Sequence, residues 1–309
     1  MKKIQYLEIL KRSFFVSWKD KFLWFFGFFI LLGSLAGNIN VGKGGLFEKF
    51  FYFLGFKQRF FPLLFLLAIV LVVILYVLRI LSSAALLRCI NNAPLYKQKK
   101  KGEILAESLK YFWRLFKMDF LLDFIGFTIF VVLFFPVVLL FSLKAFFFAI
   151  VSLFAAILIV IPLLTLIFFL KKFGFIFIVL NDSKLKPSLE FSYGIFSKNI
   201  KETLLMGFIL FGIFVYTIGF ILFLFAVTGL FFLPFVLISY LISAKLLMMV
   251  LFFIAGLLAL VEFFLVGSVA IVYFKVTWLS FFSEIAMQKI EKESRFVEEV
   301  SEIPSPEIA

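Results

Sequence analysis

Glu262 is the leading candidate in this 309-residue sequence for a residue whose type and position could do chemistry. It lies within an apolar run that extends from about residue 247 to 275. A charged carboxylate inside a membrane helix costs about 2.5–3.5 kcal/mol on insertion scales, so Glu262 is expected to face other helices or to be protonated. We interpret it as a candidate proton relay or ligand contact. The alternative is a carboxyl that only accepts a hydrogen bond from another span, for which the sequence offers three donors: Thr165, Tyr216 and Thr217.

Asp119 and Asp123 are the second candidate, because they lie four residues apart and therefore on one face of a helix. Both fall near the basic edge of an apolar run. Two carboxylates in this arrangement can do acid–base chemistry or bind a cation. The alternative hypothesis is that they pair with a lysine at the membrane interface: Lys117, Lys172 or Lys275.

Four lysines at the start of another basic segment form the third candidate: Lys97, Lys99, Lys100 and Lys101. A lysine cluster next to a membrane span can bind the head groups of anionic lipids. The alternative is that the cluster lies on a solvated loop and only sets the orientation of the chain.

The composition excludes many familiar active sites. The sequence has no histidine and a single cysteine, Cys89. A Ser-His-Asp triad, a Cys-His pair, a His-ligated metal and an internal disulfide are therefore impossible within it. We expect no metal, no cofactor and no enzymatic activity, and we interpret Cys89 as a small apolar filler.

Long apolar elements must carry these candidates. Hydrophobic residues make up 64% of the sequence, phenylalanine accounts for 52 residues, and the mean hydropathy is +1.17. A water-soluble protein of this composition would expose too much apolar surface. Since a bilayer core of about 30 Å requires roughly 20 apolar residues per helix, the sequence predicts an all-α, polytopic membrane protein. Six apolar runs are the predicted transmembrane helices: 22–37, 60–80, 119–142, 145–170, 204–232 and 247–275.

The basic residues predict how these spans are oriented. The formal net charge is +13, and with six spans 25 of the 31 Lys and Arg residues fall on the side of the termini. Both termini are therefore expected in the cytoplasm, with the chain in the bacterial inner membrane. Because the charges border apolar runs, we expect membrane lipids and other membrane proteins as partners, and no nucleic acid. One alternative is that the first span is a signal peptide, cleaved near Ser34-Leu35-Ala36.

Three segments on the basic side have the periodicity of amphipathic helices that lie in the plane of the interface. Each segment leads directly into a pair of spans. Their apolar residues recur at helical spacing in three sets: Ile4, Leu7, Leu10, Phe14 and Trp18; Leu105, Leu109, Phe112 and Phe116; Leu189, Tyr193, Phe196 and Ile200.

The three pairs of spans also begin alike, with a Gly-Phe pair early in the first helix at positions 27, 126 and 207. We infer three pseudo-repeats of one unit, an interfacial helix followed by a hairpin, over about 1–91, 102–181 and 187–290. The alternative is that any membrane hairpin shows basic edges and an early glycine. The repeats are predicted to form a single membrane domain over 1–290, followed by a disordered acidic cytoplasmic tail over 291–309.

The third basic segment carries a family resemblance. It resembles an element of uncharacterised bacterial six-helix membrane proteins in three stretches: Asn181-Asp182, Pro187-Ser188-Leu189-Glu190-Phe191-Ser192 and Lys198-Asn199. These proteins are similar to the membrane domain attached to some glycerophosphodiester phosphodiesterases, and the stretch from Ser17 to Lys21 resembles their start. The resemblance implies an all-helical inner-membrane protein. It does not imply phosphodiesterase activity, which belongs to a separate barrel domain that contains histidines.

The sequence favours a non-enzymatic inner-membrane scaffold or lipid-interacting component, because its spans are poor in polar residues. The alternative is a small transporter or channel in which Glu262 faces a polar path. The two hypotheses require different interiors. A transporter needs a water-accessible cavity that reaches Glu262, whereas a scaffold needs an apolar bundle with lateral grooves open to lipid.

Overall fold

The computed structural model describes the backbone of residues 4–36, 61–92 and 99–301, and the side chains of these ranges except 61–64 and 287–301. Within these ranges the regular structure is helical, without strands. Eight helices occur there: α1 (Tyr6–Lys19), α2 (Phe22–Ala36), α3 (Phe61–Asn91), α4 (Lys101–Ser142), α5 (Phe146–Asn181), α6 (Leu185–Lys198), α7 (Ile200–Leu241) and α8 (Lys245–Ser301).

Five of these helices are long and apolar enough to cross a membrane. They contain the stretches Phe65–Asn91, Lys101–Ser142, Phe146–Asn181, Ile200–Leu241 and Lys245–Ala286. Even the shortest stretch, with 27 residues, is about 40 Å long and exceeds the roughly 30 Å hydrocarbon core. The chain is therefore a multi-pass membrane protein of the all-α class, as the sequence predicts. The remaining predicted span corresponds to α2, a shorter apolar helix of 15 residues.

The surfaces of the five long helices are apolar and largely exposed. Within the most apolar window of each helix, between 0% and 17% of the residues are buried by protein. Phe147, Leu158 and Leu246 are 74%, 75% and 81% exposed. Because such surfaces are unstable in water, the hydrocarbon of a bilayer is the medium that these faces require.

Two of the three predicted interfacial segments form separate helices, α1 and α6. The second does not, because one 42-residue helix, Lys101–Ser142, contains both the interfacial segment and the predicted span 119–142. The physical reason is the lack of a helix break. The N–H of Asn199 bonds to Ile195 O and Phe196 O at the end of α6, whereas the stretch around position 118 contains no glycine, asparagine or proline.

The α4–α5 and α7–α8 hairpins turn in the same way. Lys144 and Ser243 adopt the left-handed conformation, with φ of 57° and 55°. In both turns the N–H of this residue donates to the carbonyl three residues earlier, and the following N–H donates to the carbonyl five residues before it. This Schellman arrangement satisfies carbonyls that the end of a helix leaves free. Each hairpin therefore reverses within the three residues between its helices.

The chain divides into two compact units that alternate along the sequence. The first unit contains Met1–Ile9, Leu109–Leu204 and Thr277–Ala309, and the second contains Leu10–Ser108 and Leu205–Val276. The sequence predicts that residues 1–290 form a single membrane domain. Whether the two units form one domain stays a prediction.

Each unit has its own apolar core. In the second unit, Phe26 and Leu86 are fully buried in a cluster that joins α2, α3 and α8. Cys89 is buried in the same cluster, in agreement with its interpretation as an apolar filler. In the first unit, Phe173 is fully buried, and its ring centre lies 6.1 Å from that of Trp278.

The last helix, α8, continues to Ser301. It therefore extends into the acidic segment 291–309, which the sequence predicts to be disordered. The helical backbone is consistent with the glutamate, lysine and arginine content of 291–301, since these residues favour helices. Residues 302–309 lie outside the described residues, and their disorder stays a prediction.

Candidate functional site

Glu262 lies on α8, and a residue that the sequence interpretation missed holds its carboxyl. Thr228 on α7 donates a hydrogen bond from Oγ1 to Glu262 Oε1 over 2.7 Å. The other oxygen, Oε2, is buried and has no hydrogen-bond partner among the described side chains. A buried polar atom without a partner costs about 1–3 kcal/mol. Glu262 therefore has one satisfied oxygen and one that a further polar group would stabilise.

The three donors named from the sequence are engaged elsewhere or exposed. Thr165 and Thr217 each donate to a carbonyl one turn earlier in their own helix. Tyr216 is 74% exposed. The predicted kind of partner, a hydroxyl on another span, is therefore found at a position that the sequence interpretation did not name.

Asp119 and Asp123 share one cation. Lys171 Nζ lies 2.7 Å from Asp119 Oδ1 and 2.7 Å from Asp123 Oδ1. Asp119 is 4% exposed, whereas the side chain of Asp123 is 64% exposed. The lysine of α5 thus bridges a buried and an exposed carboxylate of α4. Pairing with a lysine agrees with the alternative hypothesis from the sequence, which did not name Lys171.

This bridge favours a structural role for the two aspartates. The single ammonium offsets part of the charge of the two carboxylates, and it ties α4 to α5. Within the described ranges, no group of three or more His, Cys, Asp or Glu side chains is placed to hold a metal ion.

One lysine of the cluster at the start of α4, Lys99, forms an ion pair within the protein. Lys99 pairs with Glu107, and Glu107 also lies 3.5 Å from Arg88 of α3. This network joins the end of α3 to the first turns of α4. Lys99 therefore serves the protein's own packing.

Two other lysines of that cluster, Lys100 and Lys101, are exposed. Lys101 Nζ lies 4.5 Å from the centre of the Phe25 ring of α2. Lys97 lies outside the described residues. Among the described lysines of the cluster, Lys100 and Lys101 are therefore placed to meet an anionic group.

A clamp around Asp182 escaped the sequence interpretation. Asp182 follows α5 in the left-handed conformation, with φ of 52°. Arg114 donates to its carboxylate and, over 2.8 Å, to its carbonyl, and Lys110 donates to the other carboxylate oxygen. The hydrogen bond from Lys110, followed by that from Arg114, lowers the pKa of the Asp182 carboxyl below its usual value. The signal in the sequence is Asn181-Asp182 after a long apolar run, which is typical of a helix C-terminus.

An apolar groove of about 360 Å³ opens between α2 and α8. Trp24 and Phe28 line it from α2, and a face of α8 between Leu257 and Ser268 lines it from the other side. Glu262 is not one of the lining residues. The groove therefore fits the lateral, lipid-open kind that a scaffold requires, and it is not a polar path to the carboxyl.

Two glycines bring the walls of this groove together. A Cβ added at Gly27 would lie 2.5 Å from the carbonyl oxygen of Ser268, and one added at Gly267 would lie 2.6 Å from Leu31 Cδ2. A side chain at Gly27 would meet the backbone of α8 and push the two helices apart, whereas one at Gly267 would require the Leu31 side chain to move. The close approach of the two backbones therefore requires glycine at position 27.

No protein-family model, curated protein or solved structure matches this chain. The resemblance to six-helix membrane proteins stays an expectation from the sequence. The function is therefore inferred from the geometry of the described residues.

The helix α1 leaves several large apolar side chains exposed. It buries Ile9, Ser13 and Ser17 and leaves Phe14 and Trp18 60% and 61% exposed. The two exposed rings stack, with their centres 6.3 Å apart. Three exposed cations lie on the same helix, at positions 11, 12 and 19. An outward aromatic face beside basic residues suits the boundary between lipid tails and head groups.

Proposed function

We propose that this protein is a non-enzymatic, lipid-interacting scaffold of the bacterial inner membrane, with six transmembrane helices and both termini in the cytoplasm. The observation that carries the proposal is the outward aromatic face of α1 with its adjacent cations. The cytoplasmic leaflet is rich in anionic lipids, and each Lys or Arg near its surface contributes about 1 kcal/mol of attraction. The aromatic rings supply apolar area at the same depth.

A second face of the same kind supports this proposal. In α4, Trp113, Phe120 and Phe124 are 66%, 61% and 58% exposed, while Ile104 and Ser108 of the same helix are fully buried. Rings along this face stack in sequence, from position 112 to 124. Both α1 and α4, which lie in basic segments of the sequence, thus have exposed aromatic faces.

The proposal includes three pseudo-repeats of one interfacial-helix and hairpin unit. Two observations support the repeats. The first is that α1 and α6 are both 14-residue helices that precede an apolar helix. The second is that the turns at Lys144 and Ser243 share one hydrogen-bond pattern. The resemblance to six-helix membrane proteins, stated above, points in the same direction.

Lipid extracted together with the full chain tests the proposed function. Protein released from its membrane within polymer-bounded discs is expected to carry more anionic lipid than the bulk membrane, as measured by mass spectrometry. Neutralising the cations of α1, with the changes Lys11→Gln, Arg12→Gln and Lys19→Gln together, should reduce this enrichment several-fold. The matched control neutralises cations at the two turns, Lys144→Gln with Lys245→Gln, and should reduce it less. Equal enrichment in the triple variant and the unaltered protein would falsify the proposal.

One observation favours a second candidate function, a small transporter or channel. The unpartnered Oε2 of Glu262 is an atom that a proton or a polar substrate group would stabilise. The apolar lining of the groove favours the scaffold instead. Proton flux into vesicles that contain the protein separates the two functions: we expect no flux above that of empty vesicles. Flux that disappears in Glu262→Gln would establish the transporter.

A further inference from the structure

We propose that the groove between α2 and α8 binds one acyl chain of an anionic phospholipid, from the leaflet on the basic side of the protein. This inference rests on the proposed lipid-interacting function and names one site for it. Three features of the described residues lead to it: the length of the groove, the chemistry of its walls and the cations at one of its ends.

The length of the groove matches one leaflet. From Leu257 to Ser268 the lining face of α8 extends for about 16 Å, at 1.5 Å per residue. This is half of a hydrocarbon core of roughly 30 Å. Leu257 also lies about 18 Å along α8 from its first residue, Lys245, and hence near the middle of the bilayer. The groove therefore covers the half of the bilayer that lies farther from the turn at Ser243, which is the depth that a single acyl chain occupies.

The walls of the groove suit hydrocarbon. Its lining is aromatic and aliphatic apart from two polar atoms, and the protein satisfies both of them. Ser268 donates its hydroxyl to Phe264 O over 2.5 Å, and Trp24 donates from Nε1 to Ser17 O over 2.7 Å. A polar ligand would find no partner there, whereas an acyl chain restores the dispersion contacts that an empty groove lacks.

The basic end of the groove supplies the charge complementarity. Trp24 lies at this end, three residues after the exposed Lys21 that precedes α2. Lys101 Nζ lies 4.5 Å from the ring centre of Phe25, the neighbour of Trp24. An anionic head group above a chain in the groove would meet these cations. A zwitterionic lipid could enter the same groove but would lack this attraction.

Trp24 provides a direct reporter for the chain. In the full-length protein, Trp18→Phe and Trp113→Phe remove the exposed indoles, and the 4% exposed Trp278 remains as a constant background. The protein is placed in phosphatidylcholine nanodiscs that contain a small fraction of phosphatidylglycerol with brominated chains. The second arm contains the same fraction of brominated phosphatidylcholine. Since bromine quenches indole fluorescence on contact, we expect at least twofold stronger quenching by the anionic lipid.

Two substitutions on α8 form a matched pair. Val261 lines the groove and is 48% exposed, whereas Val250 is 45% exposed and is not a lining residue. We expect Val261→Phe to lower quenching by the anionic lipid to the level of the zwitterionic lipid, and Val250→Phe to leave it unchanged. If Val261→Phe does not yield folded protein, Leu257→Phe tests the same filling.

Three results would overturn the inference. Equal quenching by both lipids would show that the head group is not selected. Unchanged quenching in the groove-filled variant would show that the chain lies elsewhere. If quenching of Trp24 fell as the protein density rose and was the same for both lipids, the groove would be assigned to a second copy of the chain. None of these results affects lipid enrichment through α1, so the proposed function and this site can fail independently.

Discussion

The α4–α5 and α7–α8 hairpins share a turn but hold their acidic side chains in different ways. In the first hairpin, Asp119 lies 25 residues before the turn residue Lys144 and pairs with an ammonium group. In the second, Glu262 lies 19 residues after Ser243 and receives a hydroxyl. The difference of six residues places Glu262 about 9 Å closer to its turn. The carboxylate near the basic end of its hairpin therefore has a charged partner, whereas the carboxyl farther from that end has a neutral one.

The cost of burying charge explains this change. An ammonium group beside Asp119 lies at the basic end, where lysines are abundant and the bridge reaches an exposed second carboxylate. A lysine placed opposite Glu262 would lose its hydration among apolar neighbours. Thr228 donates a hydrogen bond without adding a charge. An ionic pair thus suits the edge of the membrane, and a neutral donor suits its interior.

The largest expected effect tests the ionic side of this comparison. Lys171→Met removes the ammonium that neutralises the buried Asp119, and we expect the free energy of unfolding to fall by about 3–5 kcal/mol. The measurement is unfolding of the purified protein in detergent. Lys186→Met is the control and should cost less than about 1 kcal/mol, because its side chain is 88% exposed. Adding Asp119→Asn to Lys171→Met should restore most of the loss, and equal losses for the two lysines would contradict the assignment.

The neutral side of the comparison predicts an intermediate effect. Thr228→Val leaves both oxygens of Glu262 without a donor, so we expect a loss of about 1–3 kcal/mol in the same unfolding assay. The double variant Thr228→Val with Glu262→Leu should recover this loss, because no polar atom is then left without a partner. A double variant that is less stable than Thr228→Val alone would show that the carboxyl has a further stabilising contact.

A smaller effect is expected at the exposed end of the lysine bridge. Asp123→Asn should lower the free energy of unfolding by less than about 1 kcal/mol, because its side chain is 64% exposed. High salt should abolish the difference between the variant and the unaltered protein, since exposed pairs are screened. Persistence of the difference in high salt would indicate that Asp123 is shielded from solvent.

The smallest effect concerns pH and the clamp around Asp182. Its folded-state pKa lies below its usual value, so the clamp stabilises the protein at neutral pH and this stabilisation is lost as the pH falls through the folded pKa. Asp182→Asn should therefore lower the unfolding temperature slightly at pH 7 and should match the unaltered protein in strong acid. Melting curves at a series of pH values provide the measurement. A difference that grows on acidification would refute the clamp.

Sequence reasoning was sufficient for the helices but not for all of their boundaries. The apolar runs predicted every long helix, yet α3 continues to Asn91 beyond the predicted end at 80, and α5 continues to Asn181 beyond 170. A helix does not have to stop where the hydrocarbon stops. Polar residues can continue the same hydrogen-bond ladder in the interface.

The candidate site shows where sequence reasoning fails. Lys171 and Lys172 are adjacent in sequence but point about 100° apart on a helix, and the rotation of α5 against α4, which places Lys171 against both aspartates, cannot be read from the sequence. The position of the turn at Lys144 partly indicates the pairing of Lys171 with Asp119. Lys171 lies 27 residues after Lys144 and Asp119 lies 25 residues before it, so folding at the turn places them side by side. The groove carried no such signal, because it depends on how α2 packs against a helix more than 200 residues away.

The left-handed residues at the two turns have a consequence for how the protein reaches its membrane. This conformation costs a residue other than glycine about 1–2 kcal/mol, yet the chain uses lysine and serine there. With cytoplasmic termini, the positive charge of Lys144 would also have to be translocated, against the usual bias. Lys144→Gly would remove both the conformational cost and the translocated charge. We therefore expect this substitution to favour insertion of the α4–α5 hairpin into the membrane.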